Sequence, residues 1–62
     1  MIKVDYSYRN KLGIVKTYSL FFYTCTKAVR FIYSILGKKN HVYLGYACDD
    51  QDELEEMEYL LK

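Results

Sequence analysis

The chain has 62 residues, is 52% hydrophobic and 18% aromatic, and contains eight tyrosines and no proline. That length gives one small domain, residues 1–62, without room for a cleft between subdomains. Such a domain buries only about 60% of the surface of its unfolded chain, yet the apolar content exceeds that of disordered segments. The net charge of +1 lacks the strongly basic balance of many nucleic-acid-binding domains, but it conceals a sorting. Residues 1–39 carry eight cations against Asp5 alone, a balance of +7; residues 40–62 carry seven carboxylates against Lys62 alone, a balance of −6. Such asymmetry marks a charged partner or an attraction between the two halves.

The first residues, MIKVDYSYRN, contain no apolar leader, so the expectation is an intracellular, cytoplasmic protein. Residues 18–36 form an apolar window about as long as a membrane span. Lys27 and Arg30 near its middle would each cost roughly 3 kcal/mol at the bilayer centre, and no membrane association is expected. Two cysteines fit a reducing compartment, where thiols act as small apolar groups.

Residues 2–9 alternate, with Ile2, Val4, Tyr6 and Tyr8 on one face and Lys3, Asp5, Ser7 and Arg9 on the other, as in a strand with one wet side. The NKLG stretch reads as a hairpin turn, in which Asn10 and Gly13 can take positive φ. Residues 14–23 are rich in β-branched and aromatic side chains and predict a second strand. From Thr24 the period changes. Cys25, Ala28, Val29, Ile32, Ile35 and Leu36 recur at helical spacing, with Thr24 as N-cap and Gly37 as the terminating residue. Residues 41–48 predict a third strand with Val42, Leu44, Tyr46 and Cys48 on one face. A second helix follows, its stripe formed by Leu54, Met57, Leu60 and Leu61. The predicted fold is α+β in the order ββαβα: a three-stranded antiparallel sheet with the first strand central, covered by an amphipathic helix, with a C-terminal acidic helix.

That last helix begins in DDQDELEEME, in which seven of ten residues are carboxylates. Local chemistry accounts for part of this. Asp49 or Asp50 can cap the helix, Asp50 and Glu53 have capping-box spacing, and acids in the first turn complement the helix dipole by about 0.3–1 kcal/mol each. Glu58 and Lys62 are spaced for an i,i+4 pair. A solvated helix face needs nothing more. Tyr59 is the exception. At 100° per residue it points away from the apolar stripe, three residues after Glu56, four after Glu55 and seven after Asp52. An aromatic ring among carboxylates is suited to an Arg- or Lys-rich partner, and the expected contact set is Asp52, Glu55, Glu56 and Tyr59.

A second candidate surface is the wet sheet face, where Lys3, Arg9, Lys16 and Tyr43 would combine cations with an aromatic ring for nucleic acid. An ordinary sheet surface with lysines against edge pairing has the same composition. Catalytic and metal signals are poor. His41 is the one histidine, a Cys–His pair would need Cys25 or Cys48 beside it, and a zinc site from Cys25, His41, Cys48 and a carboxylate would have four ligands but lacks CxxC-type spacing. The expectation is no enzyme, no metal and no cofactor.

The stretch DDQDELEEMEY on a minimal ββαβα body resembles, in type and not through an aligned motif, small accessory proteins of phages and mobile elements, including the anti-CRISPR inhibitors. That resemblance implies a short α+β domain without catalytic residues, presenting an acidic surface to a nucleic-acid-handling enzyme. The expected function is thus a non-enzymatic inhibitor or adaptor binding a basic protein partner; the alternative is a nucleic-acid-binding module on the sheet. The second strand is aromatic on both faces and would lie at a sheet edge, so a homodimer or a tight partner covering Phe21 or Phe22 is also expected.

Overall fold

Alternation, turn chemistry and a change of period set five elements in the order β1 (Ile2–Arg9), β2 (Val15–Phe22), α1 (Cys25–Leu36), β3 (His41–Cys48) and α2 (Gln51–Leu60), in a computed structural model that describes residues 1–62. The sheet order is β2-β1-β3, antiparallel throughout, with β1 central. At the hairpin, the Asn10 Oδ1 accepts from the amides of Leu12 and Ile14 at 2.9 and 3.0 Å, and Gly13 takes a φ of 84°. The glycine supplies the positive φ, while the asparagine serves through its side chain.

Pairing runs from Ile2↔Phe22 to Arg9↔Val15 between β1 and β2. One face therefore carries Ile2, Val4, Tyr6 and Tyr8 with Phe22, Leu20, Tyr18 and Lys16. Helix α1 lies on this face and buries Cys25, Ala28, Val29, Ile32 and Ile35. Thr24 accepts from the Lys27 amide at 3.3 Å and caps it. The opposite face of the sheet is bare.

Two turn details depart from the sequence reading. Gly37 ends α1 at φ −94°, a conformation open to any residue, and the left-handed residue of this connection is Asn40 at φ 64°. Asparagine tolerates that region, and the Asn40 carbonyl accepts from the Arg9 amide at 2.9 Å, which ties the α1–β3 connection to the end of β1. In β3 the register against β1 slips between Asp5 and Tyr6: Gly45 faces Asp5 and Tyr43 faces Tyr6, leaving Leu44 as the extra residue of a bulge. Val42, Leu44, Tyr46 and Cys48 thus do not share a face. Tyr46 and Cys48 lie on the helix side opposite Val4 and Ile2, whereas Val42 lies opposite Ser7 on the bare side. A one-residue insertion reverses the parity of every position beyond it.

Helix α2 packs against α1 and β3. It sends Met57 into a core with Ile2, Val4, Cys25, Ala28, Val29 and Ile32, ringed by half-buried Leu60, Leu61, Tyr43 and Tyr46. The apolar window of residues 18–36 is divided between β2 and α1, and no helix is long and apolar enough to cross a membrane. The molecule measures 40 × 19 × 14 Å.

Candidate functional site

The outer face of α2 is built from its first turn upward. Asp50 is the N-cap, its Oδ1 accepting from the Asp52 amide at 2.9 Å. The capping box does not close. Glu53 turns instead to the Met1 ammonium, which donates to both carboxylate oxygens at 2.8 and 3.0 Å. Glu53 thereby fastens the start of β1 to α2 and raises the affinity of that ammonium for its proton. The Glu58–Lys62 pair is also absent, because the helix ends at Leu60 and Lys62 falls outside helical spacing.

The remaining acids have no cation. The ion pairs of the molecule are Met1–Glu53 and Lys3–Asp5 at 3.7 Å, so Asp49, Asp50, Asp52, Glu55, Glu56 and Glu58 stand unneutralised. Between the two oppositely charged halves of the chain the one salt bridge is Met1–Glu53, and no Lys or Arg side chain joins them. Tyr59 is 75% exposed, on the side of α2 away from fully buried Met57. Asp52, Glu55 and Glu56 are all exposed as well. The structure therefore brings together the four residues that helical spacing grouped.

It divides the second group. Lys3 and Arg9 lie on the bare sheet face, opposite Phe21 and Val15. Lys16 lies opposite Tyr8 and Tyr43 opposite Tyr6, both on the helix side. The parity of Lys16 is fixed by the hairpin register, which a strand apolar on both faces does not reveal. That of Tyr43 is fixed by the bulge. Lys3 is further engaged with Asp5, whose carboxylate also accepts from the Ser19 hydroxyl at 2.6 Å.

An aromatic row that sequence reasoning missed crosses the helix side of the sheet. The Tyr6 ring stacks on Tyr18 at 5.5 Å and 26° and on His41 at 6.2 Å and 17°, with Phe31 of α1 edge-on at 5.4 Å. Cross-strand parity would have found Tyr6 with Tyr18. Tyr6, stacked between Tyr18 and His41, has no free face for a nucleobase and acts as packing, while Tyr18 is the open end of the row.

The thiols sit at the opposite end of the sheet from the imidazole. Cys48 pairs with Ile2 and His41 with Tyr8, six residues along β1 and so roughly 20 Å away. Burial pushes both thiols above their ordinary value, and Cys25 Sγ donates to the Glu53 carbonyl at 3.6 Å. Protonated thiols are poor nucleophiles. His41 Nδ1 lies 2.8 Å from the Lys39 carbonyl, which orients the ring within the turn. No group of three His, Cys, Asp or Glu residues is placed to hold a metal, and no pocket opens on the surface.

Comparison with protein-family models, with curated proteins and with solved structures returned no match. What the molecule offers a partner is therefore read from its surfaces: an unneutralised acidic helix face with one exposed ring, and a bare sheet with an open edge.

Proposed function

We propose that the protein is a non-enzymatic binding module, a small inhibitor or adaptor of the phage or mobile-element type, that presents α2 to a basic, nucleic-acid-handling protein. The observation that carries this reading is the exposure of Tyr59 among carboxylates without cations. An exposed ring on a helix already anchored by Met57 contributes little to folding, whereas tyrosine is enriched at binding hot spots. Asp52, Glu55 and Glu56 would steer a cationic groove toward it, and the groove's arginines would stack on the ring. The cytoplasm, where nucleic-acid-handling enzymes work, is the proposed location. The same reading includes a second copy joined along a strand edge.

The test is a pull-down from the native host, read by mass spectrometry, with wild type, Tyr59→Ala and a Lys3→Ala/Arg9→Ala variant side by side. A basic protein captured by wild type and by the sheet variant, and lost with Tyr59→Ala, supports the reading. Capture that depends on Lys3 and Arg9 and ignores Tyr59 would move the function to the sheet.

A further inference from the structure

The two edges of the sheet are unlike. β3 is interrupted by the Leu44 bulge and by Gly45 at φ 151°, devices that discourage a further strand. β2 has none of them. Its eight residues, VKTYSLFF, contain one cation, no proline and no bulge, and seven of the eight are exposed. Val15 and Phe21 are 59% and 60% exposed on the bare face, and Tyr18 is 41% exposed on the helix face.

The free backbone groups of β2 can be located. The Arg9 amide donates to Asn40 on the β3 side, so Arg9↔Val15 is a non-hydrogen-bonded pair within the hairpin. By alternation, Val15, Thr17, Ser19 and Phe21 direct their N–H and C=O groups outward from the edge. An added antiparallel strand would bond to these four residues.

We propose that this strand is β2 of a second copy, with a two-fold axis normal to the sheet passing between the two Tyr18 residues. The proposal rests on the strand-edge part of the functional reading and is independent of α2, which packs on α1 and β3. The register is self-complementary. Directly opposed residues share a face, so Tyr18 meets Tyr18 of the second copy, Val15 meets its Phe21, Thr17 meets its Ser19 and Lys16 meets its Leu20. Both 60%-exposed apolar positions are paired, the outward groups of Thr17 and Ser19 bond one another, and no like charges meet. The aromatic row decides between registers. Tyr18 is its open end, with Tyr6 as its one ring partner, and an axis at Tyr18 continues His41–Tyr6–Tyr18 into the same row of the second copy. An axis at Ser19 would end the row against Leu20 and place Lys16 against Phe22. The product is a six-stranded sheet whose outer strands are the bulged, guarded β3 edges.

Sedimentation equilibrium of the full chain and disulfide trapping test this. Wild type should sediment at twice the chain mass. Tyr18→Cys should form a linked dimer on mild oxidation, since non-hydrogen-bonded partners lie about 4.5 Å apart at Cα, within disulfide reach. Ser19→Cys should not. Thr17→Pro removes one outward N–H while sparing the bonds to β1, so it should halve the sedimenting mass with an unchanged circular dichroism spectrum. A monomeric wild type, a Thr17→Pro dimer, or linkage through Ser19→Cys in place of Tyr18→Cys would each overturn the proposal. None of these results bears on whether α2 binds a partner.

Discussion

Two positions on α2 separate packing from presentation. Met57 is fully buried between α1, β1 and the half-buried Leu60 and Leu61, and it is the fully buried residue that α2 contributes to the core. Met57→Ala loses the transfer free energy of the side chain and leaves a cavity, together roughly 2–5 kcal/mol. A 62-residue domain at the usual stability per residue has roughly 3–9 kcal/mol in all. The substitution thus removes between a quarter and the whole of the stability, and α2, whose two leucines are half-buried, should detach first. Tyr59, two residues on and 75% exposed, should cost within about 0.5 kcal/mol when changed to Ala. Urea denaturation followed by circular dichroism measures both. If Tyr59→Ala shifts the midpoint as far as Met57→Ala does, the ring is a packing residue and the recognition role proposed for it fails. A neutral Met57→Ala would mean that α2 is not docked as described.

Charge reversal at Glu55 and Glu56 to Lys should leave the melting temperature unchanged or slightly raised, because neither carboxylate is in an ion pair and the reversal relieves repulsion along α2. In a binding assay it should slow association with the proposed basic partner, an effect that fades as salt rises; stopped-flow mixing at two ionic strengths reads it. Burial raises the thiols of Cys25 and Cys48 and the phenols of Tyr43 and Tyr46 above their ordinary values of 9.0 and 10.0. The unfolded chain therefore loses these protons first, so the contribution of these four groups is full below pH 9.0 and falls as pH rises past that point, more steeply above 10.0, adding to the loss that the Met1 ammonium, raised above 8.0 by Glu53, begins from pH 8.0 upward; a urea midpoint unchanged across pH 9–11 would contradict the burial of these groups. Gly45→Ala meets no atom within 4 Å yet must hold φ at 151°, so it should cost about 1–3 kcal/mol through backbone strain alone, measured in the same urea experiment.

The order of elements was legible because each has its own period and its own punctuation. Thr24, Asn10 and Gly13 act where their chemistry suggests, and the central place of β1 follows from its clean alternation with Ile2 and Val4 inward. The face of α2 was legible for the same reason, since helical spacing alone sets Tyr59 opposite Met57. What failed was parity in strands without alternation. β2 is exposed on both faces, so Lys16 is placed by the hairpin register and by nothing in its neighbours. β3 carries an inserted residue that pattern reading cannot see, and it moved Tyr43 from the wet face to the core side. Glu53 eluded local reasoning for a different cause. Its capping partner was near in sequence, but the ammonium it binds is 52 residues away, and a full positive charge outcompetes a backbone amide.

The charge sorting takes a specific meaning from this arrangement. Opposite charges in two halves of a chain can serve folding by pairing, and the bonds would then be visible as contacts between β1, α1 and α2. One contact of that kind exists, between Met1 and Glu53, and it uses the ammonium of Met1 in place of any of the eight Lys and Arg side chains of residues 1–39. Folding is carried instead by Ile2, Val4, Ile32, Met57 and their neighbours. Six unpaired carboxylates gathered on one short helix and the two residues before it repel one another and weaken the fold slightly. A chain with so small a core would gain from spacing them among its lysines. The arrangement forgoes that gain, and the proposed binding role for α2 would account for a surface held at some cost to stability.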